Sequence, residues 1–248
     1  MHLLTRILLL LTCTAALTVG DPKQEDFPEF ASLFDGMGFK WEPHTAKTED
    51  GWYLTLFRVY GVVGKDQEPV TAGEEKLPIL LVHGAFDSAY GFISRGGDGV
   101  KPWSLQMIDR GYDVWLLNSR GVVHSDRNER DGTWSLKERW DFSWAEMGMY
   151  DIPAAIEQIR DVTSAPKVTV FAHSQGTSQM WYGLAKRQDY FAERVHRFVA
   201  LASCVIPSFS GFDTRDDIMS IFKTAFDIGA YNVFGNDEST VDIFKLLC

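Results

Sequence analysis

Four continuous apolar runs divide the central part of the chain at wide spacing. They are LPILLVHG (77–84), YDVWLLNSRG (112–121), KVTVFAHSQG (167–176) and HRFVALAS (196–203). Each run holds a block of apolar residues without polar alternation, which is typical of strands that are covered on both faces. Stretches with helical spacing of apolar residues lie between the runs. This alternation of strands and helices predicts an α/β fold, with a mostly parallel sheet flanked by helices.

The clearest helical pattern covers residues 143–162. Ser143 and Glu146 have the spacing of a capping box at its start. Its apolar residues recur at helical spacing: Met149, Ile152, Ile156 and Ile159. Pro153 is expected to kink or restart this helix, because proline lacks the N–H that an uninterrupted helix uses. A second helix is predicted over residues 175–187, directly after the third apolar run.

Turn-forming residues mark other boundaries. Asp50 and Gly51, within residues 48–61, predict a turn that leads into a strand, or a hairpin. Residues 66–76 and 95–100 are polar or rich in glycine and are predicted as loops. No further apolar run of the buried-strand type follows residue 207.

The first 20 residues differ from the rest of the chain. Arg6 precedes an apolar run at residues 7–19, which is too short to span a bilayer. Residues 1–20 are therefore predicted to be a cleaved signal peptide, which implies the secretory pathway and a secreted or lysosomal protein. No transmembrane segment is predicted elsewhere. After cleavage Cys204 and Cys248 would remain, and they could form one disulfide.

Charge narrows the possible partners. The chain has 24 Lys and Arg against 34 Asp and Glu, a formal net charge of −10. Such acidity argues against a nucleic-acid partner and against an anionic membrane surface. The sequence also lacks the His-Glu-x-x-His and Cys-x-x-Cys patterns of metal sites and the Walker A pattern of nucleotide sites. Neither a metal nor an organic cofactor is predicted.

Ser174 lies where the third apolar run ends and the second predicted helix begins. This strand-to-helix context is typical of a nucleophile elbow, in which a strained turn exposes a catalytic serine. Small residues are needed two positions before and two after the serine, and Ala172 and Gly176 occupy them. The alternative is an ordinary capping serine at a helix start. We expect Ser174 to be a nucleophile.

Backbone N–H groups for an oxyanion hole are expected near this serine. His83, Gly84 and Ala85 follow the first apolar run, at the place where such a loop would lie. The N–H groups of Ala85 and Gln175 are therefore predicted to stabilise an oxyanion. The alternative is that His83 and Gly84 only end a strand with a tight turn.

The triad acid and base are not evident in this chain. His173 is next to Ser174, but adjacent side chains at a strand end point to opposite sides, so it is expected to pack or hydrogen-bond beneath the elbow. His196 follows Ser174 in the chain, with Asp189 between them, as the order of a hydrolase triad requires. It introduces the fourth apolar run, however, and is expected to be a strand-entry residue rather than the base.

Five blocks, in a fixed order between Gly38 and Ser203, resemble the acid lipase family of the α/β-hydrolases, the family of lysosomal acid lipase and gastric lipase. The blocks are GFKWEPHTAKTEDGWYLTLFRV, LLVHGAFDSA, GYDVWLLNSRG, WDFSWAEMGMYDIPAAI and AHSQGT. The resemblance implies hydrolysis of lipid esters, such as acylglycerols or sterol esters, at a lipid–water interface without a cofactor. Ser174 matches the family's nucleophile, and Ala85 with Gln175 matches its oxyanion pair. Ala172 stands where the family usually has glycine.

The resemblance also predicts a division of the chain. Residues 21–206 would be the first part of the α/β-hydrolase core, and residues 207–248 the beginning of a helical cap. Family members continue beyond the position of Cys248 with strands whose loops supply the acid and the histidine. The sequence is therefore expected to be C-terminally incomplete, with the last strands missing. The alternatives are a catalytically inactive lipid-binding or interaction protein on a truncated scaffold, and a fragment that does not fold stably.

Overall fold

The computed structural model describes residues 22–65, 77–94 and 101–205. The predicted signal peptide, the two predicted loops and the predicted cap therefore lie outside the described residues. The described residues form a seven-stranded sheet with helices on both faces. The predicted α/β class is confirmed, whereas the domain boundaries at residues 21, 206 and 248 stay predictions.

The sheet combines an antiparallel edge with a parallel part. Its strands are β1 (Phe39–Lys47), β2 (Trp52–Val62), β3 (Ile79–Val82), β4 (Val114–Leu117), β5 (Arg127–Asn128), β6 (Val168–His173) and β7 (Val195–Leu201). They are arranged in the order β1-β2-β4-β3-β6-β7, with β5 paired to β2. Strands β4, β3, β6 and β7 run parallel to one another, and β2 runs antiparallel to both β1 and β4. The four apolar runs of the sequence are thus the four parallel strands, as predicted.

Seven α-helices accompany these strands in the described residues. They are α1 (Pro28–Gly36), α2 (Trp103–Asp109), α3 (Leu136–Arg139), α4 (Trp144–Glu146), α5 (Ile152–Thr163), α6 (Gln175–Lys186) and α7 (Gln188–Arg194). Short 3₁₀ turns cover Gln24–Asp26, Ala89–Phe92 and Val123–Ser125, and a π-helical turn covers Met147–Asp151.

The core consists of two apolar clusters, one on each face of the sheet. Helices α5, α6 and α7 pack on one face, against Leu80, Val170 and Ala172 among others. Helices α1 and α2 pack on the other face, against Ile79 and Leu81 among others. Because consecutive strand residues point to opposite faces, a strand covered on both sides needs apolar residues throughout. All four residues of β3 and all four of β4 are buried, which explains their continuous apolar runs. The prediction of burial on both faces is wrong for the other two strands: β6 alternates between buried and less buried residues, and no residue of β7 is fully buried.

A hairpin joins β1 to β2, which confirms the second of the two alternatives for residues 48–61. The N–H of Thr48 donates to the carbonyl of Trp52 over 2.9 Å, which closes the turn. Gly51 has φ of +95°, a conformation that glycine adopts without strain. Asp50 lies in this turn and accepts a hydrogen bond from the hydroxyl of Thr48.

The helical segment at residues 143–162 begins and restarts as predicted. The N–H of Ser143 donates to the Glu146 carboxylate over 2.8 Å, and the Ser143 hydroxyl accepts from the N–H of Ala145. The π-helical turn follows, and α5 begins at Ile152 with Pro153 in its first turn. Pro153 has no N–H for the carbonyl of Met149, four residues earlier. The Arg187 guanidinium donates to that carbonyl instead, over 2.9 Å.

Candidate active site

Ser174 occupies the single position between β6 and α6. Its backbone has φ of +51° and ψ of −122°, which is unusual for a residue with a side chain. Such a conformation costs on the order of 1–3 kcal/mol and persists only where the surroundings enforce it. The Ser174 side chain makes no capping hydrogen bond to α6. The alternative of an ordinary capping serine is therefore wrong, and the local geometry is that of the predicted elbow.

Two glycines allow the backbone segments around Ser174 to approach closely. A Cβ at Gly176 would lie 2.6 Å from the carbonyl oxygen of His83 and 2.8 Å from that of Val82. A Cβ at Gly84 would lie 2.9 Å from the Cβ of Ser174. The loop after β3 and the start of α6 are thus in direct contact. Ala172, at the other small-residue position, is fully buried in β6, and the elbow forms with its methyl group present.

The two predicted oxyanion donors lie on these adjoining segments. Ala85 belongs to the turn after β3, and Gln175 is the first residue of α6. The N–H groups of a helix's first turn have no partner within the helix, and the helix dipole places positive charge there. Within the described residues neither the Ala85 nor the Gln175 N–H has a hydrogen-bond acceptor. Both groups remain available for a developing oxyanion, and their role stays a prediction.

The loop after β3 is held by the segment that follows β4. His83 is buried, and its Nε2 accepts a hydrogen bond from the N–H of Ser119 over 3.1 Å. Its Nδ1 lies 2.8 Å from the carbonyl oxygen of Gly84 and therefore donates to it. Burial lowers the pKa of His83, which favours this neutral ring. The Asn118 amide oxygen accepts from the N–H of Ala89 over 3.1 Å and fixes the far end of the loop.

Arg120, which directly follows Ser119 in the chain, forms a buried ionic cluster with two aspartates. Its guanidinium lies 2.7 Å from a carboxylate oxygen of Asp151 and 2.6 Å from one of Asp50. The N–H of Arg120 also donates to Asp151, over 2.9 Å. Burial raises the pKa of Asp151 to about 6, against the opposing effect of Arg120. The cluster connects the β1–β2 hairpin, the loop after β4 and the π-helical turn that packs on α6.

A second set of hydrogen bonds fastens the elbow to the loop after β7. The hydroxyl of Thr177, which is fully buried, donates to the carbonyl of Ser174 over 2.6 Å. The same oxygen accepts from the N–H of Cys204 over 2.8 Å. The Ser178 hydroxyl donates to the carbonyl of Cys204 over 2.5 Å, and the N–H of Ser174 donates to Leu201 over 3.0 Å. Sequence patterns did not indicate any of these contacts.

A cavity of about 470 Å³ lies beside Ser174. Its lining within the described residues is mainly aromatic and polar but uncharged: Trp144, Ser174, Gln175, Ser178, Trp181, Tyr182, Cys204 and Val205. The Ser174 hydroxyl oxygen lies 4.0 Å from the Cys204 sulfur. Cys204 is a free thiol in the structure, and its predicted partner Cys248 is outside the described residues.

The two histidines near Ser174 in the sequence lie differently from each other. His173 is exposed, so the expectation that it packs beneath the elbow is wrong. His173 is the last residue of β6. The alternation of side chains along a strand predicts which face of the sheet the His173 side chain is on, but not whether a helix or loop covers that face. His196 is the second residue of β7, between Val195 and Arg197, which pair with Val168 and Thr169. At about 3.3 Å per residue, the β6 segment from Thr169 to Ser174 places it roughly 16 Å from the serine. His196 is therefore a strand-entry residue, as expected.

The described residues contain no group of three or more His, Cys, Asp or Glu side chains that could hold a metal ion. No helix in the described part of the chain is long and apolar enough to cross a membrane.

Comparisons with known proteins agree with this geometry. A family model described as a partial α/β-hydrolase lipase region matches residues 30–96, and one described as the α/β-hydrolase fold matches residues 78–241. Lipase 1 of Drosophila melanogaster is 36% identical over 74% of this chain and 38% of its own length. Mouse gastric triacylglycerol lipase is 36% identical, over 66% of this chain and 40% of that protein.

Sterol esterase 2 of Saccharomyces cerevisiae is 30% identical over 73% of this chain and 33% of its own length. The chain thus spans two fifths or less of the length of these relatives. The hydrolase-fold match covers the parallel strands and the elbow, and the lipase-region match covers the hairpin and the loop after β3. The chain therefore belongs to the α/β-hydrolase family and, within it, to the acid lipase-like group.

Proposed function

We propose that the protein hydrolyses carboxylic esters of lipids, such as acylglycerols or sterol esters, with Ser174 as the nucleophile. The observation that supports this most directly is the geometry of Ser174. Its backbone is strained, and its side-chain hydroxyl does not cap the helix and faces a cavity. Relatives named a triacylglycerol lipase and a sterol esterase support the same class of substrate.

In the proposed reaction the Ser174 oxygen attacks the ester carbonyl carbon, and a general base outside the described residues accepts its proton. The N–H groups of Ala85 and Gln175 donate to the oxyanion of the tetrahedral intermediate, at the positive end of α6. The alcohol then leaves with a proton, and an acyl group remains bound to Ser174. Water hydrolyses this acyl-enzyme and restores the serine. No metal or organic cofactor takes part.

A secretory-pathway location, secreted or lysosomal, is part of the proposal. Its support is the apolar run at residues 7–19 after Arg6, which has the length and flanks of a cleaved signal. A lipid ester at a lipid–water interface is the proposed partner. The second candidate function is a non-catalytic lipid-binding protein on the same scaffold. It is favoured by the large distance of His196 from Ser174.

Ser174→Ala tests the two candidates against each other. Hydrolysis of p-nitrophenyl butyrate is expected to fall by roughly 10³-fold or more, because the nucleophile is lost. A fluorophosphonate probe should label the wild-type protein at Ser174 and leave the variant unlabelled. Ser135→Ala, in the exposed capping box of α3, is the matched control and should keep the wild-type rate. Equal rates in wild type and Ser174→Ala, or no hydrolysis by either, would contradict the proposed reaction.

A further inference from the structure

Two segments of the sequence blocks that resemble the acid lipase family have no role in the proposed reaction, yet they meet in the fold. Residues 118–121 follow β4, and residues 149–153 include the end of the π-helical turn. Asp151 of the second segment binds two donors of Arg120 in the first. One carboxylate oxygen accepts from the backbone N–H over 2.9 Å, and the other accepts from the guanidinium Nε over 2.8 Å. Asp151 therefore fixes both the main chain and the side chain of Arg120.

The main chain at Arg120 leads directly to the loop that carries Ala85. Ser119 precedes Arg120, and its N–H donates to Nε2 of the buried His83 over 3.1 Å. The other ring nitrogen of His83 donates to the Gly84 carbonyl over 2.8 Å. The carbonyl and the N–H of a planar trans peptide point in opposite directions, so a fixed Gly84 carbonyl also fixes the direction of the Ala85 N–H. A displacement of Arg120 would therefore reach a proposed oxyanion donor.

On its other side, Asp151 ends a π-helical turn that packs tightly on α6. Gly148 in this turn leaves no room for a Cβ, because the carbonyl oxygen of Gln179 in α6 lies directly against it. A Cβ at Gly183, also in α6, would lie 2.8 Å from the Gly148 carbonyl oxygen. The Gln179 amide donates to the sulfur of Met147 over 3.3 Å. The turn and α6 are thus one packed unit, and the first residue of α6 supplies the second proposed oxyanion donor.

One buried carboxylate thus connects the two segments that surround Ser174. Ala85 lies on the loop after β3 and Gln175 on α6, and both N–H groups must point at the same oxyanion. Catalytic groups have to be held within about 0.5 Å of the productive geometry, and an error of about 1 Å can lower a rate about 100-fold. A π-helical turn is also frequent at functional sites. The contact at Asp151 lies where it affects the spacing of the two donors.

An equivalent ion pair at the other end of β4 separates this role from general stabilisation. Asp113 directly precedes β4, and its carboxylate lies 2.8 Å from the guanidinium of Arg58. It is 1% exposed, against 0% for Asp151. Arg58 also contacts a second, partly exposed acid, Glu42, just as the arginine of the buried ionic cluster contacts the hairpin. Because β4 runs parallel to β3 and β6, Asp113 lies at the sheet edge opposite Ser174.

We propose that Asp151 is a positioning residue for the reaction of Ser174. It sets the spacing between the Ala85 and Gln175 N–H groups by joining the loop after β4 to the π-helical turn. This inference rests on the proposed function, because it takes those two groups as the oxyanion donors. Asp151 does not touch the substrate. It acts through the segments that it joins, toward Arg120 in one direction and toward α6 in the other.

Asp151→Asn tests this role through kcat. Asparagine has a single acceptor oxygen, so its amide group would face one of the two Arg120 donors and that contact would be lost. Because oxyanion donors act in the transition state, kcat for p-nitrophenyl butyrate is expected to fall about 10- to 100-fold, with KM within a few-fold of wild type. Asp113→Asn is the matched control and should keep kcat within a few-fold of wild type. All rates are compared well below the Tm of each variant.

Hydrogen exchange separates this proposal from the proposed reaction. It reports on backbone groups such as the Ser119 N–H, which donates to His83, and it needs no turnover. Exchange in the peptides that cover residues 83–89 and 118–121 should be about fivefold faster in Asp151→Asn, which corresponds to the loss of about one hydrogen bond. Asp113→Asn should leave exchange in these peptides unchanged. If the wild type hydrolyses no ester, the proposed reaction fails, while this measurement still decides on the role of Asp151.

Three results would overturn the positioning role. One is an equal decrease in kcat for Asp151→Asn and Asp113→Asn, since the buried pair would then act only through stability. Another is wild-type kcat in Asp151→Asn, whether or not KM is raised. The third is unchanged exchange in the two peptides. If Asp151→Asn does not fold, Asp50→Asn repeats the comparison at the more exposed partner of Arg120, with Glu42→Gln as its control. A several-fold lower kcat is expected for Asp50→Asn alone, and equal rates in these two variants would also overturn the role.

Discussion

Thr177→Val removes one hydroxyl at the point where three segments meet. Valine lacks the donor to the Ser174 carbonyl and the acceptor for the Cys204 N–H. Both hydrogen bonds are partly buried, and each contributes about 1 kcal/mol net. The free energy of unfolding is therefore expected to fall by about 2 kcal/mol. The backbone bond from the Thr177 N–H to Ser174 remains in the variant.

The same substitution should impair catalysis beyond its effect on stability. Ser174 is held at φ of +51° by its surroundings, and the Thr177 hydroxyl is one of the groups that hold it. Relaxation of this turn would displace the Ser174 oxygen from the loop after β3. A misplaced nucleophile lowers kcat more than it raises KM, and a decrease in kcat of about 10- to 100-fold is expected.

Urea unfolding and steady-state hydrolysis of p-nitrophenyl butyrate measure the two effects of Thr177→Val. Thr177→Ser keeps the hydroxyl and is the matched control, with kcat expected within a few-fold of wild type. The reasoning is refuted if the valine and serine variants have the same kcat. It is also refuted if Thr177→Val changes KM alone, since the hydroxyl would then affect substrate binding and not the position of Ser174.

Two further substitutions test the elbow and the buried cluster. Gly176→Ala would place a Cβ 2.6 Å from the His83 carbonyl oxygen, so hydrolysis should fall at least about 100-fold and Tm should drop. A raised Tm with full activity would contradict this, since alanine otherwise favours a helix by about 1 kcal/mol over glycine. Burial raises the pKa of Asp151 from 3.8 to about 6, so its contribution to stability is fully present below about pH 4 and is lost as the pH rises through about 6. Urea unfolding measures the free energy of unfolding of wild type and of Asp151→Asn at each pH. The wild-type value minus that of the variant should fall by up to about 3 kcal/mol between pH 4 and pH 7. The same difference at both pH values would contradict a raised pKa of Asp151.

The parts of the fold that could be predicted are those specified by nearby residues. Strands β3 and β4 are covered on both faces, so every residue in them is apolar and the strands can be recognised from the sequence. The turn at Ser174 was predictable for the same reason, because a strand end, a helix start and a small residue on each side lie within a few positions. The hairpin at Asp50 and Gly51 and the restart at Pro153 are likewise local effects of residue type.

Contacts between distant segments could not be predicted in this way. His83 accepts from Ser119, 36 positions later, and Thr177 accepts from Cys204, 27 positions later. Both side chains are polar and buried, and buried polar groups need hydrogen-bond partners. The sequence alone does not identify the residues that act as these partners. The error on His173 has the same origin. Its side of the strand followed from alternation, whereas its exposure depends on which other elements cover that end of the sheet.

The sheet order explains how these distant loops reach one serine. Strands β3 and β7 flank β6 and run parallel to it, so the loops after all three meet at one edge. The loop after β3, with Ala85, lies on one side of Ser174, and the loop after β7, with Cys204, lies on the other. Gly84 and Cys204, which are 90 and 30 positions away from Ser174 in the sequence, therefore both lie against the same residue.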